Sequence, residues 1–225
     1  MADAPTVVLV HGAWHGPWSW DAVVEELRGD DTPVVAIDLP SGVSGGDLYD
    51  DAAAVHAAIA ATGGPTVVVA HSYGGIPATE GAAGAEGVRH LLYITAFMLD
   101  EGESLLAVVG GVDPDWWRTG ADGTTSVDRA EEIFYNACPP DVARDAAARL
   151  RPQTRASFEQ PVRAAAWHDI PSTYVICERD NAIPVVAQEA LAARAGTTHR
   201  LDSDHSPFLV QPAAVADLIR GVIAH

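Results

Sequence analysis

Short apolar runs rich in Val and Ile recur along this chain, separated by stretches with helical patterning. Runs that are nearly continuous in apolar character are typical of strands buried on both faces. They lie at Thr6–Val10, Pro33–Ile37, Thr66–Ala70, Val88–Thr95, Ser172–Cys177 and Thr197–Leu201. The helical stretches lie at Trp20–Arg28, Leu48–Ala61, Gly75–Ala83, Val185–Ala195 and Ala213–Ile223. This alternation predicts an α/β fold, with a mostly parallel sheet of about six strands and helices on both faces.

The alternation breaks between residues 97 and 168. This segment contains several prolines and aromatic residues, with helical patterning at Asp141–Leu150. It is too long for a loop and too short for an independent domain of usual size. We therefore expect a core made of residues 1–96 and 169–225, and an inserted helical cap at residues 97–168. The alternative is a set of extra helices that pack on the sheet without covering a site.

Charge and composition exclude several classes of function. The 225 residues carry a formal net charge of −18, so nucleic acid and anionic membrane surfaces are poor partners. All 13 basic residues are Arg, which excludes a Schiff-base lysine and the lysine of a phosphate-binding loop. The amino terminus has no basic segment, and its first apolar run is too short for a signal sequence or a membrane span. The sequence predicts a cytoplasmic protein and gives no indication of its oligomeric state.

Ser72 has the setting of a nucleophilic serine. It follows a Val-rich strand and precedes a helix, with the small residues Ala70 and Gly74 two positions before and after it. A nucleophile on such a tight strand-to-helix turn is exposed at the carboxyl ends of the strands. The same turn aims the amide of Tyr73 at the place where an oxyanion would form. We interpret Ser72 as the nucleophile; the alternative is a serine that caps the helix.

A glycine-containing turn follows the first strand at His11-Gly12-Ala13-Trp14-His15. In sites of this kind the second oxyanion donor is a backbone amide from the loop after an early strand, which predicts Ala13. Gly12 leaves space for an acyl oxygen, and Trp14 either walls the pocket or packs locally. His11 and His15 have a spacing that suits metal binding on a helix. They lie in a turn without a third ligand, however, so we expect no metal.

The acid and the base are predicted from chain order, because this arrangement places the acid after the serine and the histidine last. Asp180 lies in the turn after a strand, and Glu178 is its rival in the same turn. His205 lies in a loop after the next strand and is the predicted general base. Asp204 adjoins it, but neighbouring side chains seldom orient an imidazole well. The expected triad is Ser72, His205 and Asp180.

Together these motifs resemble the plant methylesterase and hydroxynitrile-lyase branch of the α/β-hydrolase superfamily and its bacterial relatives, over nearly the whole chain. The motifs are His11-Gly12-Ala13-Trp14-His15-Gly16-Pro17-Trp18, Ala70-His71-Ser72-Tyr73-Gly74-Gly75, Cys177-Glu178-Arg179-Asp180 and Asp204-His205-Ser206-Pro207. The resemblance implies the α/β-hydrolase fold. It also implies hydrolysis of small carboxylic esters through an acyl-enzyme, with no cofactor.

A lyase or C–C bond-cleaving enzyme with the same triad is the alternative. In one lyase type of this group a lysine follows the catalytic histidine and a threonine stands in the early loop. Here those positions are Ser206 and Gly12, which counts against cyanohydrin cleavage. A non-catalytic protein that binds a small ligand is the third hypothesis.

The predicted pocket favours a small apolar or aromatic ester as the substrate. It draws on the early loop, on the aromatic residues of the cap and on the loop after His205. Ordinary packing within the cap is an equal interpretation of the aromatic residues. The pocket residues are Gly12, Trp14, Met98, Trp116, Trp117, Phe134, Tyr135 and Phe208.

Overall fold

The computed structural model describes residues 4–30 and 32–224, and its strands form two sheets. Six strands lie side by side in the order β2-β1-β3-β4-β8-β9, and every neighbouring pair is parallel. The strands are β1 (Thr6–Val10), β2 (Val34–Ile37), β3 (Thr66–His71), β4 (Val88–Ile94), β5 (Trp117–Thr119), β6 (Thr124–Val127), β7 (Gln153–Thr154), β8 (Ser172–Cys177) and β9 (Thr197–Leu201). The predicted α/β architecture with a six-stranded parallel sheet is confirmed.

Helices cover both faces of this sheet, and further helices lie in the segment between β4 and β8. They are α1 (Asp21–Leu27), α2 (Leu48–Thr62), α3 (Gly75–Gly81), α4 (Leu105–Val108), α5 (Ala130–Phe134), α6 (Pro140–Ala148), α7 (Ala156–Glu159), α8 (Val185–Ala192), α9 (Pro207–Val210) and α10 (Pro212–Ile223). Side chains of a strand alternate between the faces, so Val8 and Val10 pack with α2, α3 and α8. Val7 and Leu9 pack with α1 and α10 in a second core on the other face.

The expectation that every strand is buried on both faces is wrong for the two edge strands: β2 has no fully buried residue, and β9 is the more exposed of the two. Four of its five residues are exposed, although its bounds match the predicted Thr197–Leu201. The reason is its place at the edge of the sheet, where it pairs with β8 on one side only. By contrast, β3 lies in the middle of the sheet, and all six of its residues are buried.

The segment between β4 and β8, here called the cap, is not purely helical as predicted. The helices α4 to α7 are short, and three of its strands form a separate antiparallel sheet in the order β5-β6-β7. These strands have two to four residues each, and exposed positions interrupt their apolar pattern, so sequence periodicity did not detect them. Buried cap residues share one core with the α2, α3 and α8 face of the large sheet. The predicted cap boundaries at residues 97 and 168 stay a prediction.

The parallel sheet brings the candidate chemistry to one edge. Ser72 follows β3, Asp180 comes after β8 and His205 comes after β9, so all three stand at the carboxyl ends of neighbouring or nearly neighbouring strands. This is the edge at which open α/β sheets bind ligands. Within the described residues, no helix is long and apolar enough to cross a membrane.

Candidate active site

Ser72 lies on the turn that joins β3 to α3. Its φ of 51° falls in the left-handed region, which strains a residue that has a side chain. Gly74 makes this turn possible, because a Cβ there would overlap the backbone carbonyl of His11 and lie 2.8 Å from the carbonyl oxygen of Val10. The turn therefore packs Gly74, two residues after Ser72, tightly against the end of β1.

Asp180 and His205 form a buried, hydrogen-bonded pair. Nδ1 of His205 lies 2.7 Å from Oδ2 of Asp180, and both side chains are almost completely excluded from solvent. With Nδ1–H donating to the carboxylate, Nε2 is the nitrogen left to accept a proton from elsewhere. That is the tautomer a general base requires.

The carboxylate of Asp180 is held by donors from two directions. Its Oδ1 accepts the amides of Ala182 and Ile183 at 2.7 and 2.9 Å. Its Oδ2, which also faces the histidine, accepts the hydroxyl of Thr95 at 2.5 Å. Thr95 has a φ of 37°, which is strained for a β-branched residue, so the fold holds this hydroxyl in an otherwise unfavourable position. Sequence reasoning missed Thr95, whose only signal is its place directly after β4.

The two rival carboxylates are engaged elsewhere. Glu178 is half exposed and lies 3.6 Å from Arg200. Asp204 is buried, but its two oxygens accept the amides of Ala137 at 2.8 Å and Ser206 at 3.0 Å. Asp204 thus ties the cap to the loop that carries the histidine, and neither rival bonds to the imidazole.

His71 links the histidine loop to the serine turn. Its Nε2–H donates to the backbone carbonyl of His205 at 2.7 Å, and the two rings lie 4.6 Å apart. Burial lowers the pKa of His71 well below its ordinary value, and the neighbouring charge of a protonated His205 lowers it further. His71 therefore stays neutral and adds no competing positive charge beside Ser72.

The peptide group between Ala13 and Trp14 is held at both ends. The Ala13 carbonyl accepts Nδ1–H of His15 at 2.7 Å, and the Trp14 amide donates to Oε1 of Gln153 at 3.0 Å. The amide of Ala13 donates to no acceptor in the described part of the chain. The role of this amide as an oxyanion donor stays a prediction.

Trp14 joins the early loop to the small sheet of the cap. Its carbonyl accepts the amide of Arg151 at 2.9 Å, and its indole Nε1–H donates to the carbonyl of Thr125 at 3.1 Å. Trp14 also has a φ of 62°, so this tightly bonded residue is in a strained conformation. The cap thus fixes the backbone of the early loop as well as covering the site.

Tyr73, the second predicted oxyanion donor, has a deeply anchored side chain. Its hydroxyl donates to Oδ2 of Asp51 at 2.6 Å, and the same carboxylate accepts the hydroxyl of Ser41 at 2.6 Å. Burial raises the pKa of Asp51 despite these donors. Sequence reasoning missed Asp51, because nothing in its helical context distinguishes it from a surface residue.

A small cavity opens at Ser72. Its volume is about 40 Å³, and it brings together Ser72, Ala13 and Tyr73 with ten further residues of the early loop, the cap and the loop after β8. Those ten are Trp14, Phe97, Leu105, Val109, Pro114, Trp116, Trp117, Phe134, Ala182 and Ile183. Phe134 also lies 5.4 Å from the ring of His205, which places the histidine beside this cavity. Six of these ten residues, Leu105 among them, were not predicted.

Four predicted pocket residues do not line this cavity. Met98 is fully buried in the core on the α2 and α3 face, and Phe208 is fully buried in the core on the opposite face. The hydroxyl of Tyr135 is turned toward Nε2 of His15, to which it donates at 2.9 Å. A Cβ at Gly12 would come within 2.7 Å of a His71 ring nitrogen and 3.0 Å of the Ser72 Cβ, so this glycine lies against the serine turn, and its predicted role stays a prediction.

The histidines of the early loop are structural. His15 lies between Tyr135 and Ala13, and burial lowers its pKa to about 3, so it is neutral. His11 accepts the amide of Leu39 at 3.2 Å. Among the described residues, no group of three or more His, Cys, Asp or Glu side chains is arranged to hold a metal ion.

Comparison with known sequences agrees with this architecture. Residues 7–218 match the sequence profile described as the alpha/beta hydrolase family. A curated relative, alpha/beta hydrolase nvfD of Aspergillus novofumigatus, is 31% identical over 96% of this chain and 95% of its own length. Methylesterase 18 of Arabidopsis thaliana is 27% identical over 91% of this chain and 92% of its own length.

Solved structures share the fold at low sequence identity. A pyrethroid hydrolase from Sphingobium faniae superposes with a TM-score of 0.83 and 22% identity, covering 98% of this chain and 97% of its own. The methylesterase MES16 from Arabidopsis has a TM-score of 0.84 and 20% identity, covering 98% and 99%. At these identities the likeness concerns the fold alone.

Proposed function

The chain belongs to the alpha/beta hydrolase family, and we propose that it hydrolyses small carboxylic esters through an acyl-enzyme formed on Ser72. The observation that carries the proposal is the buried pair of His205 and Asp180, whose histidine packs against the residue that precedes Ser72. The presence of named esterases among its relatives supports ester hydrolysis over other reactions.

In the first half of the proposed reaction, the hydroxyl of Ser72 attacks the ester carbonyl carbon and gives its proton to Nε2 of His205. The carbonyl oxygen becomes an oxyanion, which the amides of Ala13 and Tyr73 stabilise. Asp180 stabilises the imidazolium through its contact with Nδ1. The imidazolium then protonates the leaving alkoxide, and the alcohol departs.

In the second half, Nε2 of His205 takes a proton from water while the water oxygen attacks the acyl carbon. The tetrahedral intermediate collapses, and the proton returns to the oxygen of Ser72. The acid leaves and the serine is restored. The strained turn at Ser72 and the pre-formed Asp180 contacts mean that little reorganisation is needed in either half.

The test is hydrolysis of p-nitrophenyl acetate by the wild-type chain and by Ser72→Ala, His205→Ala and Asp180→Asn. We expect each variant to lose at least a thousandfold in kcat, because members of such a triad act as a unit. A fluorophosphonate should label the wild-type chain on Ser72 and should not label Ser72→Ala, as read by mass spectrometry.

Matched controls lie close by in sequence but outside the site. Glu178→Gln changes the exposed rival carboxylate, and His199→Ala changes an exposed histidine on β9. Both should keep wild-type activity. Full activity in Ser72→Ala would overturn the proposal. Cleavage of a cyanohydrin without ester hydrolysis would instead favour the lyase alternative.

A further inference from the structure

A stretch of the cap, residues 132–138 and here called the clamp segment, contacts the loop that carries the proposed acid. Nδ2 of Asn136 donates to the carbonyl of Arg179 at 3.0 Å. In the opposite direction, Nδ2 of Asn181 donates to the carbonyl of Glu132 at 2.9 Å. Arg179 and Asn181 directly precede and follow the acid in sequence, so the clamp segment is bonded to this loop on both sides of it.

The same segment also contacts the loop that carries the proposed base, through the buried carboxylate of Asp204. Oδ2 of Asp204 accepts the amide of Ala137, in the clamp segment, at 2.8 Å. Its Oδ1 accepts the amide of Ser206 at 3.0 Å, so a tight side-chain turn encloses His205. The ring of Phe134, also in the clamp segment, lies 5.4 Å from the imidazole. One short stretch of the cap therefore contacts the loops of both the acid and the base.

In the part of the chain that the structure describes, Asp204 is held by hydrogen bonds and forms no ion pair. Arg179, whose amide bonds to the histidine loop, pairs with Asp202 instead. The thiol of Cys138 adds a weak contact at 3.7 Å; burial, and to a smaller extent the charge of Asp204, raises its pKa to about 12, so it stays protonated. A fully buried carboxylate without a counter-ion is costly unless its donors are kept. Both donor amides are therefore constrained to their present positions around His205.

We propose that Asp204 is a positioning residue for the general base. It does not bond to the imidazole; it fixes the backbone beside His205 against the clamp segment and so sets where Nε2 lies relative to Ser72. A displacement of about 1 Å at a reacting group costs roughly a hundredfold in rate, so this constraint is large enough to affect turnover. The inference rests on the proposed function, because the position of Nε2 affects a rate only if His205 acts as the base.

Steady-state hydrolysis of p-nitrophenyl acetate by Asp204→Ala and Asp204→Asn tests the proposal. Asp204→Ala removes both acceptor oxygens, so kcat should fall roughly tenfold to a hundredfold while KM changes by less than about threefold. Asp204→Asn has nearly the same size and keeps one acceptor oxygen, so its loss of kcat should be smaller, about threefold or more. Asp204→Asn also carries the test if circular dichroism shows that Asp204→Ala does not fold.

Two control variants separate positioning from a general loss of stability. Cys138→Ala removes a weak contact of the same carboxylate and leaves the amide of Ala137 in place, so kcat should stay within about twofold of wild type. Thr79→Val removes a buried hydrogen bond of 2.8 Å to the hydroxyl of Tyr93, which involves no residue of the triad, and should lower stability in urea without lowering kcat. An equal loss of kcat in Thr79→Val and in the Asp204 variants would overturn the proposal.

Proton NMR gives a readout that does not depend on turnover. The Nδ1 proton of His205, hydrogen-bonded to Asp180, should give a downfield resonance at low temperature that is absent from His205→Ala. A loosened histidine loop admits exchange with water, so this resonance should broaden or disappear in Asp204→Ala and persist in Thr79→Val. A folded Asp204→Ala protein that keeps either wild-type kcat or an unchanged resonance would contradict the proposed role, and so would an Asp204→Asn protein with wild-type kcat.

Failure of the proposed function gives a different result, because the wild-type chain would then cleave no p-nitrophenyl acetate. Failure of the positioning role alone leaves hydrolysis that depends on Ser72 and His205, with the Asp204 variants as active as the wild-type chain.

Discussion

Replacement of Gln153 by leucine should disturb the proposed oxyanion loop without changing any residue of the proposed triad. Gln153 is a buried cap residue, and its Oε1 accepts the amide of Trp14 at 3.0 Å across 139 positions of sequence. Its Nε2 donates to the hydroxyl of Ser157 at 2.9 Å. Leucine has a similar size but no acceptor, so the Trp14 amide would be left buried without a partner.

The magnitude follows from the geometry. A buried amide without a partner costs about 1–3 kcal/mol, so the free energy of unfolding should fall by that amount. Loss of a whole oxyanion donor costs roughly 10²–10³ in kcat. Gln153 acts one peptide away from the Ala13 amide, so we expect a smaller loss of kcat, roughly tenfold to a hundredfold. KM should change by less than about threefold, because binding of the ground-state ester does not depend on this amide.

The assay is steady-state hydrolysis of p-nitrophenyl acetate together with urea unfolding. Ser157→Ala is the matched control, since it removes the partner of the other end of the same glutamine and leaves the Trp14 amide bonded. This control should lose stability while its kcat stays within about threefold of wild type. A folded Gln153→Leu protein with wild-type kcat would refute the reasoning, and so would an equal loss of kcat in both variants.

Three further predictions concern the triad support and the core. Thr95→Ala removes the hydroxyl that donates to Asp180 and should lower kcat roughly tenfold, as measured from initial rates. Thr95→Ser keeps a hydroxyl and should restore kcat. A fully active Thr95→Ala would contradict this role of Thr95. Because burial lowers the pKa of His15 from 6.5 to about 3, the unfolded chain binds a proton below pH 6.5 that the folded chain does not. The free energy of unfolding therefore falls as the pH falls from 6.5 toward 3, by about 2 kcal/mol at pH 5. Urea unfolding at pH 7.5 and pH 5.0 measures this loss, and equal free energies at the two pH values would disprove the prediction. Gly74→Ala should lower the free energy of unfolding by at least about 2 kcal/mol, since its Cβ would meet rigid backbone. Gly221→Ala places a Cβ in open space and should not lower it. Equal stabilities of the two variants in thermal or urea unfolding would contradict the packing argument.

The parallel sheet was predictable because its signals are local. Buried strands need continuous apolar runs, and all six predicted runs became strands with bounds that agree to within a residue. The strained turn at Ser72 is also predictable from neighbouring residues, because a strand leads into the serine and Gly74 follows two residues later. Chain order then pointed to Asp180 and His205, because parallel strands bring their carboxyl ends to one edge.

Where sequence reasoning fell short, the missing information was long-range. The antiparallel strands of the cap are too short and too interrupted for periodicity to show, and the edge position of β9 depends on which strands pair. Met98 and Phe208 are apolar in either case, and only packing decides that they fill the two cores rather than the cavity.

The sequence by itself determined the α/β architecture, the strained serine turn and the identity of the candidate triad residues. Only the tertiary structure decided what holds them: Thr95 on the acid, Gln153 on the early loop and Asp51 beneath Tyr73. The physical reason is the separation along the sequence between the groups that interact. Backbone conformation follows from neighbouring residues, whereas these hydrogen bonds join groups 22 to 139 positions apart that meet only when the whole chain folds.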